Sequence, residues 1–335
     1  MKLPKFKYIA PKSVKEASSL LKEYGDRAIA LAGGSDLLVN LKNRLKNREF
    51  LIDLKAIPRM DRVTFSEPEG LTIGAMATLR DLIEIATVRE NYPMLVQAAE
   101  SVGTPQVQYM GTVAGNLCLD NRCYYYNQSP WWHAGREACW KLGGRTCYTV
   151  RGSKTCWATY CGDTAPALLA LGAKIKVAEP AGEKTMPLQE LYSGDGENPT
   201  TLKAGQFITE ITIPLPAGGS GGAYLKLRRR QAINFPLLGV AVNLRLNGKR
   251  STCEDARIAL TAVERKPILI EEALMLKGGK LNEAAIAEVL EAAHNQAHPV
   301  DNLSGLPPSY RKKMVKIYLA KAINQALQAA QRKGK

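Results

Sequence analysis

The chain has 335 residues, of which 45% are hydrophobic and 23% are charged, a composition typical of a globular protein with two or three domains. It has no apolar run near the roughly 18 residues of a membrane span, and residues 1–7 lack the apolar core of a signal peptide, so we expect a cytoplasmic protein with reduced thiols. The net charge of +15 is dispersed and comes without a DNA- or RNA-binding motif, which argues against nucleic acid. An acidic protein partner, or a merely solubilising surface, would explain the charge.

The first 60 residues alternate helix and strand. Ser13 can cap a helix with one apolar face, and Gly25 can end it. Residues 28–32 predict a short buried strand that leads into Gly33-Gly34 and then a helical stretch. Backbone N–H groups at such a turn can converge on a phosphate, although a tight turn needs glycine for steric reasons alone. The pattern is not G-x-G-x-x-G, so a Rossmann dinucleotide site is not predicted.

A second unit follows, with a strand at 71–74 and Thr78 as a helix cap. The glycine- and threonine-rich residues 104–116 are typical of a loop that wraps a ligand closely, or of a turn-rich connection between short strands. After residue 161 the pattern resumes with a helix around 167–171 and strands at 174–177 and 208–214.

Six of the seven cysteines and all four tryptophans lie between residues 118 and 161. The spacing is too wide and uneven for a zinc finger, whereas four thiolates from separate turns are typical of an iron–sulfur site. A disulfide staple, or zinc bound by His133 and three cysteines, remains an alternative. Basic residues outnumber acidic ones here, and they could stabilise a reduced cluster or receive an acidic electron donor, or be merely solvated.

Beyond residue 215, a glycine-rich stretch (216–222) predicts a flexible linker. Strands are predicted at 223–227, 238–246 and 253–263, with a turn at Asn247-Gly248, and helices from residue 269 onward.

These motifs, in this order and over nearly the whole chain, resemble the flavin subunits of the molybdenum hydroxylases, the xanthine dehydrogenase family. The resemblance implies an α+β chain with a two-subdomain FAD-binding fold of the PCMH, or vanillyl-alcohol-oxidase-like, type. The FAD-binding domain would span 1–216 (a small α/β subdomain at about 1–56 and a larger one at about 57–216), with a cysteine-rich insertion at about 119–160. A C-terminal flavoprotein domain of antiparallel sheet and helices would span 223–335.

The resemblance also implies the FAD contacts. Residues 32–37 match the family's first pyrophosphate-binding loop, Ile73 lies in a second short matching segment, and residues 111–116 match a G-T-x-G-G-N loop. Asp163 matches an acidic residue near the flavin's ribityl chain, and Lys226 matches a lysine near the isoalloxazine ring. The implied FAD-binding residues are Ala32, Gly33, Gly34, Ser35, Asp36, Leu37, Ile73, Gly111, Thr112, Gly115, Asn116, Asp163 and Lys226. Ala114 departs from the family's glycine and is not expected to contact the cofactor.

The cysteine-rich insertion resembles a loop that the flavin and [4Fe–4S] subunits of 4-hydroxybenzoyl-CoA reductases carry at this point of the chain. This resemblance implies a [4Fe–4S] cluster on Cys123, Cys139, Cys147 and Cys156. Cys118 and Cys161 lie in sequence that cluster-free relatives share, so packing is their expected role, and Cys253 is expected in a core strand.

The implied function is electron transfer by an oxidoreductase subunit that has no catalytic residue of its own. Electrons from an acidic ferredoxin would pass by [4Fe–4S] and FAD to a [2Fe–2S] small subunit and a molybdenum-cofactor large subunit, where 4-hydroxybenzoyl-CoA is dehydroxylated. A dimer of heterotrimers is implied. The alternative is the FAD subunit of another molybdenum hydroxylase, acting on a purine, aldehyde or N-heterocycle and passing electrons outward.

Overall fold

The computed structural model describes residues 2–279, 281–303 and 306–332, so the outermost predicted domain limits, 1 and 335, lie outside the described residues. Three sheets and eleven α-helices occupy the described ranges, and the predicted α+β class is confirmed. Within these ranges no helix is both long and apolar enough to cross a membrane.

The first sheet is small and parallel, with strand order β1-β3-β2. Its strands are β1 (Lys7–Ile9), β2 (Ala28–Leu31) and β3 (Phe50–Asp53), and its helices are α1 (Val14–Tyr24) and α2 (Leu37–Lys42). The predicted caps of α1 are confirmed, because the Ser13 hydroxyl accepts the Glu16 N–H at 3.2 Å and Gly25 ends the helix with φ +50°. Because β2 is an edge strand, the turn that follows it lies at the edge of this sheet.

The second sheet is antiparallel, with strand order β4-β5-β8-β6-β7. Its strands are β4 (Val63–Ser66), β5 (Gly70–Gly74), β6 (Lys174–Glu179), β7 (Gly182–Pro187) and β8 (Phe207–Ile213). Seven helices lie between β5 and β6: α3 (Leu79–Glu84), α4 (Ala86–Asn91), α5 (Pro93–Glu100), α6 (Pro105–Met110), α7 (Val113–Leu117), α8 (Pro130–Ala134) and α9 (Thr164–Ala170). Thr78 caps α3 in a complete capping box, as predicted. Residues 104–116 form two short helices rather than a connection between strands.

The third sheet is antiparallel, with strand order β12-β11-β10-β9. Its strands are β9 (Ser220–Leu227), β10 (Leu238–Leu246), β11 (Cys253–Thr261) and β12 (Ile268–Leu269), followed by helices α10 (Glu283–Gln296) and α11 (Pro308–Arg332). Short 3₁₀ turns complete the secondary structure at Gly25–Arg27, Leu54–Ala56, Trp140–Leu142, Leu188–Leu191 and Glu271–Leu276.

Part of the predicted flexible linker is ordered strand. Residues 220–222 belong to β9, where the backbone of α11 lies close to Gly221. A Cβ on that glycine would lie 2.1 Å from the Ala330 nitrogen and 2.4 Å from the Ala326 oxygen. Glycine serves here to let helix and strand pack closely, so the prediction of a linker through residue 222 was wrong.

Small apolar residues join the second and third sheets. Met94, Ala98, Ala167, Tyr224 and Ala241 form one buried cluster between α5, α9, β9 and β10. Leu171 packs against both this cluster and the core of the second sheet, and Ala259 and Ala262, in and just after β11, belong to that same core. The third sheet therefore packs directly against the rest of the chain.

The guanidinium of Arg311, at the start of α11, is fully buried. It donates to the backbone carbonyls of Leu237 and Val300, each at 3.0 Å, and to that of Ala262. One side chain therefore ties α11 to three separate segments of the chain.

Candidate functional site

A cleft of about 640 Å³ opens where the first sheet, the α6–α7 region, β8 of the second sheet and the loop between β9 and β10 meet. Its volume is in the range of small-molecule and cofactor pockets. We call it the glycine-lined cleft. The predicted FAD-binding residues that line it are Ala32, Gly33, Gly34, Ser35, Asp36, Leu37, Gly111, Thr112, Gly115, Asn116 and Asp163. Ala114, expected not to contact a cofactor, also lines it.

Two loops of the cleft, residues 32–36 and residues 111–116, are in close backbone contact. We call this part of the cleft its waist. A Cβ on Gly33 would lie 1.8 Å from the carbonyl oxygen of Met110, and one on Gly115 would lie 2.7 Å from the hydroxyl of Thr112. Gly34 has φ +76°, in the left-handed region that favours glycine. Glycine at positions 33 and 115 therefore permits this close packing. Both glycines also line the cleft, where they present only backbone atoms to a ligand such as a pyrophosphate.

Hydrogen bonds fix the second loop from both sides. Thr112 caps α7 by accepting the Gly115 N–H at 3.1 Å. The side-chain oxygen of Asn116 accepts the N–H of Thr164 at 3.1 Å and its hydroxyl at 2.7 Å. Asn116 therefore positions the loop against the start of α9.

A buried ion pair stands at the inner wall of the cleft. The carboxylate of Asp163, 4% exposed, accepts the Nζ–H of Lys226 at 3.0 Å and the Tyr224 hydroxyl at 2.7 Å. Lys226 also donates to the Ser101 carbonyl at 2.8 Å. Burial raises the pKa of Asp163, with Lys226 opposing that shift. Asp163 lines the cleft, whereas Lys226 is not among the lining residues and holds Asp163 in place through the ion pair.

Ile73 lies elsewhere. It is fully buried in β5, opposite Ile211 of β8, as part of the main core. Met76, just beyond the same strand, lines the cleft in its place. The strand therefore presents its following turn to the cleft, while its alternating side chains fill the core.

Sequence reasoning missed a segment between β9 and β10. Ile233, Asn234 and Phe235 line the glycine-lined cleft. Ile233 has φ +61° and is 67% exposed, an unusual state for a β-branched residue. The available signal was the apolar pair in an otherwise polar loop, but only the packed structure brings it to the cleft.

We call residues 119–160 the cysteine loop. The four cysteines expected to bind a cluster line a single cavity within it, which we call the cysteine cavity. Cys123, Cys139, Cys147 and Cys156 all face this cysteine cavity, with Tyr125, Tyr126, Trp140, Tyr148 and Trp157 among its walls. The loop is closed at its base because the backbones of Arg122 and Thr159 exchange two hydrogen bonds of 2.8 Å.

Burial and backbone dipoles act on these thiols in opposite senses. Burial raises the pKa of Cys123 and Cys139, and that of Cys156 to about 12. Peptide N–H groups of Val150 and Ala158 point at the sulfurs of Cys147 and Cys156, each at 3.4 Å. Such N–H groups favour a thiolate or metal-bound sulfur over a free thiol.

Cys118 and Cys161 line the glycine-lined cleft. Burial raises the pKa of both to about 12, so they remain neutral thiols in the apolar wall, in line with the packing role expected of them. Cys253 is fully buried in β11.

Neither alternative for the cysteine loop has a preformed site. All seven cysteines are free thiols. No three His, Cys, Asp or Glu side chains among the described residues converge on a single metal-ion position. The His133 Nε2 lies 3.1 Å from the Tyr126 carbonyl.

Arg122, next to Cys123, connects the cysteine loop to the glycine-lined cleft. Its guanidinium pairs with Asp36 at 2.8 Å and lies 4.5 Å from the centre of the Phe235 ring. A further cavity of about 570 Å³ lies beside it, lined by Arg122, Cys123, Arg229 and Arg230. We call this the arginine cavity.

Comparisons with known proteins agree with this geometry. Residues 4–216 match the model of the FAD binding domain in molybdopterin dehydrogenase, and residues 223–326 match the CO dehydrogenase flavoprotein C-terminal domain. The chain is 30% identical to the carbon monoxide dehydrogenase medium chain of Afipia carboxidovorans, over 96% of both chains. It is also 30% identical to the aldehyde oxidoreductase FAD-binding subunit PaoB of Escherichia coli, over 80% of this chain and 83% of that one. A solved Cu,Mo-CO dehydrogenase in its cyanide-inactivated form superposes with a TM-score of 0.81 at 27% identity, covering 98% of this chain and 100% of that one.

Proposed function

Since this chain belongs to the family of FAD-binding subunits of the molybdenum hydroxylases, we propose that it is the flavin-carrying electron-transfer subunit of a complex with a molybdenum-cofactor large subunit and a [2Fe–2S] small subunit, assembled as a dimer of heterotrimers. It further carries a [4Fe–4S] cluster in the cysteine loop. The complex accepts electrons from a reduced ferredoxin and dehydroxylates 4-hydroxybenzoyl-CoA to benzoyl-CoA.

The glycine-lined cleft supports the FAD assignment within this proposal. Gly33, Gly34 and Gly115 line the cleft and present only backbone atoms to it, as a pyrophosphate site requires. Asp163 accepts hydrogen bonds at the inner wall and is held in place by Lys226 and Tyr224. Bound FAD supplies the exchange of one or two electrons, which suits a subunit that links single-electron centres.

The single observation that carries the cluster proposal is the cysteine cavity. Four cysteines from four separate turns face one small cavity of about 20 Å³ with aromatic walls, and backbone N–H groups point at two of the sulfurs. Cys118, Cys161 and Cys253 are absent from its lining. This donor set fits a cluster that takes one thiolate for each iron.

The arginine cavity supports an acidic electron donor. Its charged lining residues are Arg122, Arg229 and Arg230, and its lining includes no carboxylate among the described residues. It shares Cys123 with the cysteine cavity, and it shares Ile233, Asn234 and Phe235 with the glycine-lined cleft. The positive charge of the arginine cavity would attract an acidic carrier to the place where the cysteine cavity and the glycine-lined cleft approach each other.

Oxidation of a small substrate with outward electron flow is the second candidate. It is favoured by the relatives at 30% identity, which are named as carbon monoxide and aldehyde oxidoreductase subunits. The cysteine cavity is the reason we place inward electron flow first, because a cluster beside the flavin offers a one-electron donor its own entry point.

Cofactor content tests the proposal first. Protein purified without oxygen should contain about four irons, about four acid-labile sulfides and about one FAD per chain. FAD with zinc, or FAD with no metal, would reduce the cysteine loop to a structural element and leave only the outward-flow function.

The cluster ligands can then be tested by substitution. Cys139→Ser should lower the iron content strongly while FAD stays near one per chain, because Cys139 does not line the glycine-lined cleft. Cys253→Ser is the matched control, since this buried thiol donates to the Asp255 carbonyl, which a hydroxyl can also do. Unchanged iron in Cys139→Ser would refute the ligand set.

The assembled complex decides between the two functions. With reduced ferredoxin, it should convert 4-hydroxybenzoyl-CoA to benzoyl-CoA and water, consuming an electron pair and a pair of protons. Reduction of an external acceptor by carbon monoxide or an aldehyde, without dehydroxylation, would establish the second candidate instead.

A further inference from the structure

One lysine of the cysteine loop is buried at the wall of the cysteine cavity. Lys141 follows Trp140 in a 3₁₀ turn, and its side chain is only 2% exposed. Its ammonium donates to the carboxylate of Asp120 at 2.9 Å and to the carbonyls of Gly196 and Glu197 at 2.6 and 3.1 Å. These three acceptors match the three protons of the ammonium, so its position is fully determined.

The partner carboxylate belongs to the other cavity. Asp120 lines the glycine-lined cleft, as does Lys46, whose ammonium lies 3.4 Å from the same carboxylate. Asp120 also accepts the hydroxyl of Tyr126 at 3.3 Å, and Tyr126 lines the cysteine cavity. The Asp120 carboxylate is therefore the point where polar groups from the two cavities meet.

Burial distinguishes Lys141 from the exposed cations of the loop, and Arg122, whose side chain is 15% exposed, is paired with Asp36. Arg151 and Lys154 are exposed, so water and salt screen their charge. Lys141 has almost no contact with water, and its charge acts on the thiols across a protein interior, where screening is weak. Its closest described counter-charge is Asp120, 2.9 Å away.

Resting on the cluster assigned under the proposed function, we propose that Lys141 is a positioning residue that raises the reduction potential of the [4Fe–4S] cluster, and that Asp120 moderates this effect. Reduction adds negative charge to a cluster that already carries four thiolates, so a nearby buried cation favours the reduced state. Asp120 holds the ammonium at the cavity wall and cancels part of its field.

A purely structural role for Lys141 would give a different pattern. The same hydrogen bonds hold the loop against residues 196–197, so loss of the lysine could loosen the loop. Loosening changes iron content or thermal stability, whereas the proposed role changes the potential of an intact cluster. Opposite shifts from the two partners are expected only if charge is the cause.

The test is a redox titration of the holoenzyme, followed by EPR, with iron and FAD measured per chain. Lys141→Met should shift the midpoint potential of the cluster negative, by about tenfold in the reduced-to-oxidised ratio, which is about 59 mV for one electron. Asp120→Asn should shift it positive, and Lys141→Arg should stay near wild type. Lys154→Met is the matched control, an exposed lysine two residues from Cys156 as Lys141 is two residues from Cys139.

An unshifted potential in a Lys141→Met protein that keeps its iron would overturn the inference. If Lys141→Met loses its iron, the cluster potential of Asp120→Asn is the deciding measurement. A positive shift of that midpoint potential supports the inference, and no shift or a negative shift overturns it. Wild-type protein without iron would instead refute the cluster assignment on which the inference rests.

Discussion

Replacing Gly33 by Ala should weaken FAD binding by closing space that the two loops of the cleft share. The added Cβ would lie 1.8 Å from the Met110 carbonyl oxygen, 2.7 Å from the Met110 carbonyl carbon and 3.1 Å from the Gly111 Cα. All three are backbone atoms, so no side-chain rotation can relieve the contact.

The size of the effect follows from that distance. A carbon and a carbonyl oxygen normally stay about 3.3 Å apart, so the loops must separate by about 1.5 Å. Overpacking of this kind costs about 1–3 kcal/mol. This cost falls on the fold with or without FAD, and FAD affinity falls by the part that binding must supply to return the loops to their original spacing. We therefore expect affinity to fall by up to about 150-fold.

FAD affinity is measured by titrating flavin-free protein and following the quenching of flavin fluorescence, and unfolding is followed in parallel. The control is Gly135→Ala, because Gly135 has φ −91° and a Cβ there meets no atom within 4 Å. If Gly33→Ala binds FAD and unfolds like the control, the assignment of this waist to FAD is wrong.

Two further predictions concern stability. Arg311→Met removes three hydrogen bonds to backbone carbonyls and should lower the free energy of unfolding by about 3 kcal/mol, at about 1 kcal/mol per hydrogen bond, in urea titrations. Lys313→Met, an exposed position on the same helix, should change little, and equal stabilities of the two variants would contradict this account. For Asp120, burial opposes ionisation, but Lys141 and Lys46 outweigh it and lower the pKa. A carboxylate with a lowered pKa in the folded state stabilises the fold above its unfolded value and loses that contribution as pH falls through the folded value. The free energy of unfolding should therefore drop less steeply in Asp120→Asn than in wild type between about pH 5 and about pH 3, and identical slopes would argue against the paired carboxylate.

Local rules predicted the parts of the fold that depend on neighbouring residues. Ser13, Gly25 and Thr78 occupy the caps expected of them, because a cap is a contact between residues about three apart. Strand β10 has its predicted bounds. The prediction of a linker through residue 222 was wrong because the small size of Gly221 serves a contact with α11 more than 100 residues away, which composition alone does not encode.

Long-range packing also explains where the predicted cofactor residues deviate. Ile73 belongs to a matching segment, yet its side chain points into the core and Met76 reaches the cleft. Lys226 acts through Asp163, 63 residues earlier in the chain. Ile233 and Phe235 come to the cleft only because β9 and β10 pack beside α5 and α9. For Ile73 and Lys226 the motif lies near the cleft, and the fold decides which side chains line it.

The cysteine loop marks the limit of sequence reasoning most clearly. Spacing alone left several sets of four cysteines possible, and the resemblance selected the set that lines one cavity in the structure. The basic residues of the loop were counted together, as solvated charges or as partners of a cluster. The structure separates Lys141, which is 2% exposed, from Arg151 and Lys154, which remain in water. Because a charge acts strongly only where water does not screen it, the cation most able to influence a cluster is the one that the fold has desolvated and paired with Asp120.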